Sequence, residues 1–301
     1  MSGRASVGDT GARLLVLPVD GDHQLCLRVL APLADDPAAP VLVIVPAMGI
    51  TASYYDPLAE GLARQGFPVV ACDLRGHGAS VPAISRRSRH GQQDAVATDL
   101  PAIVTAARRE FPGRRLVLLG HSIGGQLAAA YLARPEADAD GLALIASGTP
   151  HHRVYPPLRA LRVLAGTGAA ALLGRVWGYF PGDRVGFAGR ESAGVIRDWA
   201  RFARTGRFRP DGADLDYERA MSTVDVPVLV VSVEGDLMHT PAAMAALTAK
   251  LGTTRVTERR YTAADAGGPL DRYRWVRVRG PLPAWVRDWW RDHEMTGGVR
   301  P

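Results

Sequence analysis

The 301-residue sequence contains few cysteines, almost no lysine and no long apolar run. Its two cysteines, Cys26 and Cys72, have a spacing that fits neither a disulfide framework nor a zinc site. The longest apolar run, 41–45, is far too short to cross a membrane, and residues 1–17 hold no apolar stretch of signal-peptide length. These absences predict a protein of a reducing, cytoplasmic setting, with no metal, no organic cofactor and no membrane partner.

The shortage of lysine leaves arginine as the source of nearly all positive charge. Lys250 is the only lysine, while the formal net charge is +6. Clustered arginines can attract nucleic acid, acidic proteins or anionic substrates. Here they are scattered through predicted helices, with no stripe of stacking aromatics and no nucleic-acid motif. We therefore expect a small-molecule substrate, free or attached to an acyl carrier protein or coenzyme A, and no nucleic-acid partner. The oligomeric state stays open.

The sequence does contain enough apolar residues, 47% of the total, for one enzyme-sized core. Two alternating segments near the N-terminus, 13–19 and 24–31, are typical of antiparallel strands. Beyond them, short apolar segments alternate with amphipathic helical ones, at 41–45, 68–73, 116–119, 141–146 and 226–233. Runs that are apolar on both faces are typical of parallel strands covered by helices. The alternation predicts an α/β fold with a doubly wound, mostly parallel sheet.

This alternation of strands and helices stops between Thr149 and Thr223, a segment rich in arginine, glycine and aromatic residues. The segment begins at the carboxyl end of a sheet strand, the edge where ligand crevices lie in α/β proteins. We expect a helical lid of two or more short helices over 149–223, inserted into a core formed by 1–148 and 224–301. Three of its aromatic residues are predicted to contact substrate: Trp177, Tyr179 and Trp199.

The clearest motif is Gly120-His121-Ser122-Ile123-Gly124, a G-x-S-x-G pentapeptide. A buried-strand pattern precedes it, and a run of small residues typical of a helix follows it. In that setting the turn strains Ser122 and requires glycine at positions where a Cβ would clash. Ser122 Oγ would then stand above the sheet, at the positive end of a helix, with the Ile123 N–H free to bind an oxyanion. The motif predicts a nucleophile for acyl chemistry.

Together with this motif, four further segments make the chain resemble the α/β-hydrolase superfamily. They are the loop 46–49, the turn 73–80, and 177–187 with 198–202 in the insertion. The insertion segments resemble a bacterial subgroup of serine α/β-hydrolases with aminopeptidase-like and esterase-like members. The resemblance implies an α/β-hydrolase fold with Ser122 as nucleophile and Asp236 as triad acid. It also implies that the backbone N–H groups of Met48 and Ile123 form the oxyanion hole.

The chain departs from this subgroup at the third triad member. Arg272 stands where the subgroup has its catalytic histidine, and 261–289 contains no histidine at all. An arginine side chain stays protonated below a pH of about 12, so Arg272 cannot take the Ser122 proton. The usual base is therefore missing from its usual position.

Three explanations for the missing base stay open. In the first, the base has moved, to His151 or His152 at the start of the insertion or, second in order, to His239, which follows Asp236 by three residues. The protein would then hydrolyse a small, partly apolar ester, thioester or lactone. In the second, the pocket serves a lyase, isomerase or cyclase, and Arg272 holds a carboxylate or enolate. In the third, the protein is an inactive relative that binds a ligand.

Overall fold

The structure is a computed structural model that describes residues 11–296. Residues 1–10, which include most of the segment that shows no signal-peptide pattern, lie outside the described residues. The strands are β1 (Arg13–Pro18), β2 (Gln24–Leu30), β3 (Val41–Val45), β4 (Val69–Asp73), β5 (Leu116–His121), β6 (Gly141–Ile145), β7 (Tyr179–Pro181), β8 (Arg190–Ser192), β9 (Val228–Val233) and β10 (Val256–Tyr261).

The helices lie between these strands and after the last one. In chain order they are α1 (Asp56–Arg64), α2 (Gln92–Asp94), α3 (Leu100–Glu110), α4 (Ile123–Leu132), α5 (Pro157–Trp177), α6 (Gly182–Val185), α7 (Ala193–Thr205), α8 (Tyr217–Met221), α9 (Pro241–Thr248), α10 (Ala263–Ala266) and α11 (Leu282–Thr296). A π-helical turn, Ala95–Asp99, joins α2 to α3. Among the described residues, no helix is both long enough and apolar enough to cross a membrane.

Eight strands form one mixed sheet in the order β1-β2-β4-β3-β5-β6-β9-β10. β1 pairs with β2, and β2 with β4, in antiparallel fashion, while every later pair is parallel. Apolar side chains from both faces of the sheet pack beneath helices in two separate clusters. The prediction of a doubly wound, mostly parallel sheet is confirmed.

The order of the strands reverses around β3. The chain passes from β3 outward to β4, and then crosses back over β3 to β5 on its other side. Ligands of open α/β sheets bind beyond the carboxyl ends of the strands at such a reversal. In this protein the carboxyl ends of β3 and β5 lie side by side, because Val45 pairs in register with Gly120. The loop after Val45 and the turn at Ser122 therefore both begin at this reversal.

Residues 149–223 add a separate layer whose strands do not join the main sheet. β7 and β8 pair only with each other among the described strands, and four helices accompany them. The expectation of short helices is wrong for α5, which runs for 21 residues. The strands and helices of this layer pack closely on each other, with α5 lying against both α7 and β7.

Candidate active site

The backbone at Ser122 has the strained geometry that the G-x-S-x-G motif predicts. Ser122 has φ 55° and ψ −122°, and α4 begins at the next residue. A Cβ on Gly120 would lie 2.3 Å from Gly125 Cα, and one on Gly124 would lie 2.2 Å from the Val45 carbonyl oxygen. Both glycines are therefore needed for the turn to pack against the helix and the neighbouring loop.

Two hydrogen-bonding contacts link Ser122 to a histidine and that histidine to an aspartate. Ser122 Oγ lies 3.3 Å from His239 Nε2, and His239 Nδ1 lies 3.0 Å from Asp236 Oδ2. Ser122 is half-buried, whereas Asp236 and His239 are buried. An ionised carboxylate can only accept hydrogen bonds, so Nδ1 carries the proton and Nε2 presents its lone pair to Ser122. This is the connectivity of a catalytic triad.

Asp236 also builds the turn that presents His239. Its Oδ1 accepts hydrogen bonds from the backbone N–H groups of Met238 at 2.8 Å and His239 at 3.0 Å. Burial acts to raise the pKa of Asp236, but the hydrogen bond from His239, the positive charge of this histidine when protonated, and these N–H donors bring the pKa below its usual range. Thr240 then caps α9, and Pro241 occupies its first turn. The loop is therefore fixed at both ends.

The structure does not bring His151 or His152 to Ser122, which corrects the first choice of relocated base. His152 Nδ1 lies 3.1 Å from the Ala203 carbonyl oxygen of α7. The two histidine rings pack edge to face, 4.9 Å apart, and the His151 ring lies against Gly206. The His151 N–H donates to the hydroxyl of Thr149 at 3.2 Å.

The backbone N–H groups of Met48 and Ile123 have no hydrogen-bond partner among residues 11–296, as donors of an oxyanion hole require. The adjacent Ala47 N–H donates to Tyr55 Oη at 2.8 Å. The same hydroxyl forms a hydrogen bond with His121 Nδ1 at 2.8 Å. Burial, aided by the positive charge that His239 carries when protonated, lowers the pKa of His121 to about 3, so that its ring stays neutral.

We expect Tyr55→Phe to loosen the loop that carries Met48. The change leaves Ala47 N–H and His121 Nδ1 without a partner in a buried site, at a cost of about 1–3 kcal/mol for each. Urea unfolding should show a loss of that order in the free energy of unfolding. Tyr54→Phe is the matched control, because the Tyr54 hydroxyl donates to the Tyr273 carbonyl oxygen in a half-buried position. Equal stability of the two variants would contradict this role for Tyr55.

A cavity of about 800 Å³ lies between the insertion and the triad loop. Its wall includes Trp199, Phe180 and Phe187 from the insertion. It reaches the triad loop through Asp236 and Met238, while Ser122 and His239 are not part of its wall. The wall is mostly apolar, which is typical of sites for small organic ligands.

The structure places the three predicted aromatic contacts differently. Trp199 is 7% exposed and lines the cavity. Trp177 is 40% exposed at the end of α5, and neither it nor Tyr179 contributes to the cavity wall. The reason is the left-handed Gly178, which ends α5 and turns the chain so that the two side chains point elsewhere. The Tyr179 ring contacts the Arg190 guanidinium instead.

Arg272, at the position of the missing histidine, also lines the cavity. Its guanidinium lies over the rings of Phe187 and Tyr273, at 5.0 and 4.7 Å from their centres. It therefore faces the cavity, while His239 holds the position beside Ser122. Tyr155, which the sequence did not reveal, donates to the Met238 carbonyl oxygen at 2.6 Å and braces the triad loop.

Comparison with known proteins identifies the superfamily. The sequence model of a family described as serine aminopeptidase, S33, matches residues 36–188, just over half of the chain. The chain belongs to this family of α/β-hydrolases. The hydrolase is also 30% identical over 205 residues to a non-heme haloperoxidase of Rhodococcus erythropolis, an alignment covering 62% of this chain and 71% of the relative. The family match contains Ser122 but ends before Asp236 and His239.

Solved structures agree on the fold. A soluble variant of monoglyceride lipase from Saccharomyces cerevisiae superposes with a TM-score of 0.68 at 14% identity, covering 97% of this hydrolase and 99% of that chain. Proline iminopeptidase from Mycobacterium smegmatis gives 0.61 at 19% identity, with 94% and 99% covered. At such identities the likeness shows the fold alone. The protein is an enzyme of the α/β-hydrolase superfamily, and the predicted fold is confirmed.

No metal-binding group is apparent at this site. Within residues 11–296, no three histidine, cysteine, aspartate or glutamate side chains are placed to hold a metal ion.

Asp73 and Glu234, the other acids near strand ends, form hydrogen bonds within the scaffold. Asp73 Oδ1 accepts from the Ala52 N–H at 2.7 Å, and Glu234 Oε2 accepts from the Ala263 N–H at 3.0 Å. Asp236 is therefore the carboxylate positioned to orient a histidine.

Proposed function

We propose that the protein is a serine hydrolase that cleaves small, partly apolar esters, thioesters or lactones through Ser122, His239 and Asp236. The observation that carries the proposal is the pair of contacts joining Ser122 Oγ, His239 and Asp236, at 3.3 and 3.0 Å. The base is relocated from the position of Arg272 to the loop that also bears the acid. Both members of the acid–base pair thus come from a single Asp-x-x-His segment.

The reaction proceeds in two steps. His239 Nε2 takes the Ser122 Oγ proton as the oxygen attacks the substrate carbonyl carbon. The oxyanion is bound by the Met48 and Ile123 N–H groups, and the protonated His239 then gives its proton to the leaving alcohol or thiol. In the second step His239 deprotonates a water molecule that attacks the acyl-enzyme. The acid is released and Ser122 regains its proton.

The cavity and the insertion support the substrate class. An apolar wall that carries Trp199, Phe180 and Phe187 suits an acyl or alkyl chain, and 149–223 acts as a lid over the site. We propose a small-molecule substrate, free or carried as a thioester on an acyl carrier protein or coenzyme A. We propose the cytoplasm as the place of action, where the two cysteines remain free thiols as they are here.

The direct test is hydrolysis of a panel of short acyl esters, thioesters and lactones by the wild type and by Ser122→Ala. We expect the wild type to hydrolyse at least one member, and Ser122→Ala to lose nearly all of that activity, because the nucleophile is absent. Circular dichroism confirms that the variant is folded. Full activity in folded Ser122→Ala would exclude acyl chemistry at this serine.

A further inference from the structure

The guanidinium of Arg272 has no carboxylate partner among residues 11–296. It forms no ion pair with a carboxylate in the described part of the chain, 11–296, although most arginines of this protein that are half-buried do so. Its guanidinium contacts the faces of Phe187 and Tyr273, and one nitrogen lies 3.5 Å from Met238 Sδ. Aromatic faces and a thioether orient a guanidinium but do not neutralise its charge.

Two more arginines line the same cavity. Arg159 and Arg162 stand on the first turns of α5, and neither forms an ion pair with a carboxylate among the described residues. The cavity wall also holds two aspartates, neither of which forms an ion pair with an arginine in the described part of the chain. Asp236 accepts from His239, and Asp271 accepts the Tyr273 and Arg274 N–H groups at 2.8 and 2.7 Å. The mostly apolar cavity wall therefore carries three arginines and two aspartates, and Arg272 has no carboxylate partner among residues 11–296.

The position of Arg272 relates this charge to the reaction. Arg272 and Asp236 line one wall, and Arg272 contacts Met238, the residue before the candidate base. A fixed cation near the reacting centre does not help to bind a wholly neutral acyl chain, because the cost of desolvating the guanidinium would not be offset. A substrate with an anionic oxygen group would form charge-assisted hydrogen bonds with the planar guanidinium.

We propose that Arg272 is the anion-binding residue of the substrate cavity, and that the substrate carries a carboxylate or phosphate besides its scissile acyl bond. This inference rests on the proposed hydrolase function. The anionic group has two possible sources: a carboxylate at the far end of the acyl chain, or a phosphate on the alcohol or thiol that leaves. Phe187 and Tyr273 hold the guanidinium in place, and Arg159 and Arg162 add attraction at the rim.

The experiment compares matched substrates that differ only in the anionic group. Monoethyl suberate is paired with ethyl octanoate, and octanoyl phosphopantetheine with octanoyl pantetheine. We expect the wild type to favour the anionic member of one pair by about 10-fold or more in kcat/KM, as hydrogen bonds to charged groups typically provide. The first pair reports a carboxylate and the second a phosphate.

Arg272→Met should abolish that preference, by raising KM for the anionic substrate. Arg272→Lys should retain part of it. Arg277→Met is the matched control, because Arg277 lies over the Tyr54 ring at 4.6 Å but does not line the cavity. Absence of any preference in the wild type, or a preference that survives Arg272→Met, would overturn the proposal.

Failure of the hydrolase function is distinguishable from failure of the subsite. Should none of the four substrates be cleaved, calorimetric binding of suberate and phosphopantetheine to the wild type and Arg272→Met decides the matter. Binding that Arg272→Met weakens by about 10-fold or more supports the subsite, while binding that is absent or unchanged rejects it. Cleavage that depends on Ser122 but ignores the anionic group rejects the subsite alone.

Discussion

Replacement of His239 by glutamine should lower kcat/KM for ester hydrolysis by about 10²- to 10⁴-fold, the usual contribution of a general base. His239 Nε2 lies 3.3 Å from Ser122 Oγ, and glutamine has no group that accepts a proton at neutral pH. Rates of hydrolysis by purified variants, with unfolding curves beside them, measure the effect. Asp236→Asn should lower kcat strongly as well, because the amide no longer fixes the His239 tautomer.

His151→Gln and His152→Gln are the controls for the His239 variant. Both histidines lie within the insertion, and the His152 ring is engaged with the Ala203 carbonyl oxygen. Their variants should keep activity within about threefold of the wild type, as expected of residues outside the reacting groups. A large loss in either, with His239→Gln still active, would assign the base to the insertion. New ester hydrolysis in Arg272→His would mean that the parent lacks a working triad.

Gly124→Ala should destabilise the protein by about 1–3 kcal/mol or more and remove most activity. Its added Cβ would lie 2.2 Å from the Val45 carbonyl oxygen and 2.6 Å from that of Pro46. These are backbone atoms, so relief requires the loop that carries the Met48 N–H to move away from α4. Urea unfolding and ester hydrolysis measure the two effects.

The control for this glycine is Gly168→Ala in α5, where an added Cβ has nothing within 4 Å. There alanine should raise the free energy of unfolding by about 0.5–1 kcal/mol, because glycine is the poorer helix former. A Gly124→Ala protein as stable and active as the Gly168→Ala protein would show that the close approach at the elbow is not needed.

The strand-helix core was predictable because its signals are local. β3 and β5 are buried runs, and apolar residues on both faces are diagnostic of covered parallel strands. The elbow was predictable too, since only glycine allows the close contacts around Ser122. The directions of the aromatic side chains in the insertion were harder to predict. They depend on where α5 ends, at Gly178, and that end depends on packing as much as on sequence.

The base was harder to assign than the nucleophile or the acid. In the subgroup that the chain resembles, the catalytic histidine follows the last strand. Because Arg272 occupies that position here, several other histidines were candidates for the base. The informative signal was the Asp236-x-x-His239 spacing followed by Thr240 and Pro241. An aspartate readily accepts from the N–H groups two and three residues later, and such a turn brings the third residue's side chain back to the carboxylate.

Fluorophosphonate labelling, followed by peptide mass spectrometry, tests the proposed triad most directly, since the probe reacts with a serine activated by a base. It should be run on the wild type, on His239→Gln and on His152→Gln. We expect one adduct on Ser122, formed at similar rates in the wild type and His152→Gln and at least about 100-fold more slowly in His239→Gln. An adduct on another residue, no adduct on folded wild type, or equal labelling rates in His239→Gln would contradict a triad of Ser122, His239 and Asp236.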